Sequence, residues 1–127
     1  MSQNKNYHLG ILYLIHLLVN ADGVIDENES KALKKVKDYE QIPEATLIEF
    51  EKSVINKKEK HIYQSGIDHL NQCTDDEKLD AFAHLHKMSE ADGRVHVKEV
   101  RLLLYSIRMA KIEFNDVVAR SKSMVYS

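Results

Sequence analysis

One cysteine, one proline and four glycines are all that a chain of 127 residues carries of these types. The lone Cys73 excludes an internal disulfide, and a reducing compartment such as the cytoplasm is the simple reading. With few glycine and proline breakers, a Leu- and Lys-rich chain favours helices throughout. No segment sustains the period-two alternation of a half-buried strand, so no sheet is expected. Long apolar runs are missing as well. The longest, Ile11 to Val19, is interrupted by His16 and falls short of the roughly 20 residues that a bilayer span needs, so no membrane insertion is expected. The opening MSQNKN is polar and leads into no cleavable signal pattern. The formal net charge is only −2, which speaks against a general nucleic-acid binder, usually strongly basic. A Gly-rich phosphate loop and a nucleophile motif are both lacking.

What is present suits one soluble globular domain over residues 1–127: 43% hydrophobic and 30% charged residues. The apolar spacing predicts about seven helices. The first runs from about Tyr7 to Asn20, with Leu9, Leu12, Tyr13 and His16 at helical spacing. Ile11, Leu14, Ile15 and Leu18 widen its apolar face, as in a central, mostly buried helix. Asp26-x-x-Glu29 resembles a capping box that opens a second helix to about Tyr39, with Ala32, Leu33 and Val36 inward. Pro43 suits the first turn of a third helix, carrying Leu47, Phe50 and Val54. A fourth carries Tyr63, Ile67 and Leu70. Thr74-x-x-Glu77 opens a fifth to about Glu90, with Leu79, Phe82, Ala83 and His86 on one stripe. A sixth spans about His96 to Ala110, with Val100, Leu103, Leu104 and Ile107. A short seventh follows Asn115.

The fifth helix repeats the first at an offset of 70 residues. Leu79 falls on Leu9, Phe82 on Leu12, Ala83 on Tyr13 and His86 on His16. Beyond them ADGVIDENE (21–29) aligns with ADGRVHVKE (91–99). A helix–turn–helix unit therefore occurs twice. One such hairpin cannot bury both faces, so the two copies are expected to pack together about an approximate pseudo-twofold axis.

The doubled ADGxhxxxE turn after an apolar helix resembles the TerB-like family, named after tellurite-resistance proteins and found also in the N-terminal region of some DnaJ-type co-chaperones. The resemblance covers about Tyr7 to Val118. It implies an all-α bundle of about seven helices, a role in stress response and protein scaffolding, and divalent-metal binding at the acidic turns. By motif match those roles carry to Asp22, Asp26 and Glu29, and to Asp92 and Glu99. The second turn departs from the acidic pattern at Arg94 and His96. No tellurite function follows.

Read residue by residue, the turns admit two explanations. With Gly23 at position six of an EF-hand loop, Asp22, Val24, Asp26 and Glu29 take positions five, seven, nine and twelve. Position one would then be Leu18 or, in the second turn, Met88. Neither supplies a carboxylate, so calcium's six to eight oxygens are not met. The alternative is capping, with Asp26 accepting from the new helix and Glu29 returning to the cap backbone. Val95 and Val100 suit a hydrophobic staple. Capping leaves Asp22 and Asp92 unexplained, since each stands near the negative end of the preceding helix.

His16 and His86 are either hydrogen-bonded core histidines or metal ligands beside those turns. His86 and Glu90 stand at i, i+4, and His96 could join them. Such a mixed set would suit Zn²⁺, Mn²⁺ or Fe better than Ca²⁺. His84 points to a different helix face from His86. Cys73 reads as a small packing residue, and KALKKVK and NKKEKH as solvated faces. The expected function is a non-catalytic TerB-like module that docks other proteins, with a divalent metal at the turns modulating the docking. A metal-independent adaptor, using Tyr105, Met109 and Phe114, is the first alternative, and a metal-dependent hydrolase the second.

Overall fold

The computed structural model describes residues 3–19, 25–91, 95–107 and 113–126. Within them the chain forms seven α-helices and no strand. These are α1 (Lys5–Val19), α2 (Glu27–Glu40), α3 (Glu44–Val54), α4 (Glu59–Asn71), α5 (Asp75–Ala91), α6 (Val97–Leu104) and α7 (Phe114–Ser123). The all-helical bundle follows the apolar periodicity. No described helix is long and apolar enough to cross a membrane.

Helix α1 is the axis of the bundle. Tyr7, Leu12, Ile15 and their neighbours are buried along nearly its whole length, and it packs on α4, α3, α2 and α5. Its closest partner is α4, and two glycines permit the approach. A Cβ on Gly10 would lie 2.7 Å from Leu70 Cδ2, and one on Gly66 would lie 2.7 Å from Leu14 Cδ2. Phe50 and Val54 of α3 and Ile62, Ile67 and Leu70 of α4 close the core around α1. Each such side chain contributes about 1.5–3 kcal/mol on full burial. Ala32, Leu47, Tyr63 and Leu79, also expected inward, are only partly buried at its margin.

Local chemistry sets the ends. Asp26 Oδ1 accepts from Glu29 N at 2.8 Å and starts α2. Thr74 and Glu77 form the reciprocal box expected at α5, with N···O distances of 2.9 and 3.1 Å. Glu113 and Asp116 form another at α7, one that went unread in the sequence. Pro43 stands one place earlier than expected, as the N-cap of α3. Gln41 ends α2 in the left-handed region, φ 55°. Helix α6 is shorter than its apolar pattern implied. After Leu104 the bonds tighten to Ser106 N→Leu103 O and Ile107 N→Leu104 O, a 3₁₀-type spacing. Ile107 still reaches the core through that turn.

The helix starts themselves repeat. Lys5, Glu27 and Glu44 open α1, α2 and α3, and 70 residues on Asp75, Val97 and Phe114 open α5, α6 and α7. The offset first visible in two helices thus extends to a third. Helix α3 packs on α1 as α7 packs on α5, and α4, which lies between the two sets in sequence, packs on α1.

Candidate functional site

The first acidic turn brings its histidine and glutamate together. Asp26 alone caps α2, so the Glu29 side chain does not return to the cap backbone as the capping-box reading expected. It turns inward instead, onto the last turn of α1. His16 Nδ1 lies 2.6 Å from Glu29 Oε2, and both side chains are 0% exposed. The carboxylate accepts from the ring N–H, and that charge-assisted bond outweighs what a cap bond in solvent would offer. Glu29 Oε1 has no hydrogen-bond partner among the described residues. The Phe50 ring meets His16 edge-on, with centroids 6.3 Å apart. Asp22 lies outside the described residues.

The second turn is built differently. His86 Nδ1 stands 3.3 Å from Ser121 Oγ of α7 and 3.4 Å from Glu90 Oε1. The i, i+4 pairing expected of His86 and Glu90 is therefore present. His96 is the exposed N-cap of α6 and makes no side-chain cap bond. Glu99, the counterpart of Glu29, is exposed. Val95 and Val100 are both buried, as a staple requires. Asp92 lies outside the described residues. Among the described residues, no group of three or more His, Cys, Asp or Glu side chains is arranged to hold a metal ion.

A third constellation was not anticipated. Glu40, the last residue of α2, is buried and accepts from Tyr7 Oη at 2.6 Å and from His84 Nε2 at 2.7 Å. His84 Nδ1 is 2.7 Å from the Tyr126 hydroxyl. A neutral ring that donates from Nε2 accepts that hydroxyl proton at Nδ1. Tyr126 also stacks on His84, interplanar angle 6°, and Tyr39 meets both rings edge-on. Burial works to raise the Glu40 pKa, but the hydrogen bonds from His84 and Tyr7 outweigh it and hold the carboxyl below its ordinary range. Burial, reinforced by Glu40, pushes Tyr7 far above an ordinary phenol, and burial does the same to Tyr126. The sequence carried one weak sign of this network: His84 shares a helix with His86 but points elsewhere. Its partner Glu40 is 44 positions away, beyond the reach of local pattern.

Two other polar features are structural. Arg120 of α7 binds Asp80 and Asp76 of α5. Cys73 is half-buried, and burial pushes its thiol up to about 11, far from a reactive thiolate at neutral pH.

The outer face of α6 exposes apolar side chains: Val97, Leu102 at 67% and Tyr105 at 72% exposure. Beside it lies a groove of about 510 Å³ lined by Leu17, Leu18, Tyr63, Leu102 and Leu103, with Glu99 on its rim. Phe114, also expected on such a surface, is half-covered, with the Arg101 guanidinium 4.6 Å from its ring centroid. Met109 lies outside the described residues. No protein-family model, no curated protein and no solved structure matches the chain.

Proposed function

We propose that the chain is a non-catalytic, TerB-like helical module of the cytoplasm that docks partner proteins in stress response. The observation that carries this reading is the α6 face, where Leu102 and Tyr105 stand in solvent beside an apolar groove. Exposed apolar area rimmed by polar residues is typical of interaction surfaces. Its opposite is equally telling. The acid–base pairs His16–Glu29 and Glu40–His84 lie in the core, where they orient helices and meet no substrate. A duplicated unit with an approximate pseudo-twofold axis is part of the same reading, supported by the common 70-residue offset of three helix starts.

Affinity capture with mass spectrometry tests it. Wild type should retain a specific set of proteins that Leu102→Asp with Tyr105→Asp loses. An unchanged set would reject the α6 surface. Turnover of a phosphoester or peptide panel that disappears with chelator would instead establish the hydrolase class.

A second reading adds a divalent metal at the acidic turns. It is favoured by the buried Glu29 Oε1, a carboxylate oxygen without a hydrogen-bond partner among the described residues. Of the candidate ligands, Asp26 and Glu29 share the first turn, His96 and Glu99 the second. Dialysed protein should then melt higher with Ca²⁺, Mn²⁺ or Zn²⁺, because a ligand of the native state stabilises it. No shift with any of them, nor with chelator, would reject the ion and leave the metal-independent adaptor.

A further inference from the structure

A second groove, of about 600 Å³, opens between α2, α5 and the C-terminal tail. This lies within the range of about 300–1,000 Å³ usual for ligand sites. Helix α2 lines it with Asn28, Lys31, Ala32 and Lys35, spaced i, i+3, i+4, i+7 and so on one face. Helix α5 contributes Lys87, Met88, Glu90 and Ala91, and the tail contributes Tyr126. Met88 is buried and Ala32 and Tyr126 are half-buried, so the floor is apolar. The described rim holds three lysines against Glu90 alone.

Among the described residues, none of the three cations is strongly engaged elsewhere. Lys31 meets Glu27 at 3.6 Å, with both side chains mostly in solvent, a contact worth little. Lys35 makes no ion pair among the described residues. Lys87 Nζ stands 5.6 Å from the Tyr126 ring centroid. In a chain of net charge −2, a concave surface of positive sign attracts and concentrates anionic partners. The ammonium groups are divided between two helices across an apolar floor, which suits carboxylates on either side of an apolar side chain. A compact phosphate would want converging donors, and a flat bilayer cannot enter a cleft. The floor is also held in place: Tyr126 is fixed by its bond to His84 Nδ1 and by stacking on that ring. A preformed site loses less entropy on binding.

We infer that this groove receives an acidic segment of a partner protein, its carboxylates on Lys31, Lys35 and Lys87 and an apolar side chain on Met88 and Tyr126. The inference rests on the docking reading and adds to the α6 face a second surface with its own partner chemistry.

Selection from a display library of random 12-residue peptides tests both readings separately. The baits are wild type, Lys31→Glu/Lys35→Glu and Leu102→Asp. Lys31, Lys35 and Leu102 are exposed, so matching melting curves should confirm that each bait is folded. Wild type should enrich peptides with acidic residues flanking an apolar one. Their synthetic forms should bind Lys31→Glu/Lys35→Glu about tenfold or more weakly, and Leu102→Asp unchanged. Binding should also weaken as NaCl rises from about 0.1 M to about 1 M, where the Debye length shrinks from about 10 Å to about 3 Å. Enriched peptides that are not acidic, or that bind the double variant as well as wild type, would overturn the groove. Peptides lost only on Leu102→Asp would overturn it while sparing the docking reading. Uptake by phosphatidylserine vesicles in place of any peptide would overturn both.

Discussion

The α1–α2 pair and the α5–α6 pair share a sequence register and differ in where their ionisable groups go. His16 and Glu29 meet in the core, both fully buried. At the matching places, His86 turns to Ser121 of α7 and to Glu90, while Glu99 stands in solvent. Gly10 lets α4 approach α1, whereas Asp80, at the same place in the second unit, binds Arg120 of α7. The same glutamate of a repeated motif therefore has opposite environments. Position in a motif fixes backbone register, but the neighbouring helix decides what the side chain does.

The contrast breaks most readily at Glu29. Glu29→Ala removes the buried carboxylate that His16 meets and opens a cavity in the core, and should cost about 3–5 kcal/mol in urea unfolding. Glu99→Ala, at the surface, should stay within about 0.5 kcal/mol. Equal losses would dissolve the distinction between the two units. Replacing the pair together, His16→Leu with Glu29→Met, should restore most of the stability, since replacing both partners of a buried hydrogen bond by apolar groups of similar shape can be nearly neutral. Failure to recover would mean that the pair does more than fill space.

A smaller effect is expected where the two units meet their covering helices. Gly10→Ala places a methyl group against Leu70 and should cost about 1–3 kcal/mol. Asp80→Ala removes a partly exposed ion pair and should cost about 1 kcal/mol or less. Thermal unfolding of both variants measures the difference, and the reverse order would show that α7 holds its unit more tightly than α4 does.

Glu40 gives the mildest test, through pH. Its carboxyl is held below its ordinary value of 4.5 in the folded chain, so the folded state binds fewer protons there than the unfolded one. Its contribution is fully present above that ordinary value and is lost as pH falls through the lowered folded value. Glu40→Gln should flatten this part of the acid limb. An acid limb unaltered by Glu40→Gln would separate the network from acid stability.

Much of the bundle was legible because helical periodicity and capping are local. Asp26 and Thr74 announced α2 and α5, and the alignment of His86 with His16 located the repeat. Glu29 was misread at the level of its side chain: the cap and the core compete for it, and only the position of His16 in space decides. The α6 end was overextended because Ile107 keeps the apolar spacing even though the backbone tightens after Leu104. Glu40 and His84 were invisible as a pair, since a contact between distant helices has no local signature. The α4 crossing was hidden for the same reason: neither Gly10 nor Gly66 differs in pattern from an unremarkable helical glycine.

That crossing constrains how the sequence can drift. Gly66 faces Leu14 only while the count of residues from the start of α4 is kept. Inserting one residue before it would rotate the remainder of the helix by about 100° and set a bulkier side chain against α1. Substitutions at exposed positions of α4 should be tolerated far better than gains and losses of length within its first two turns.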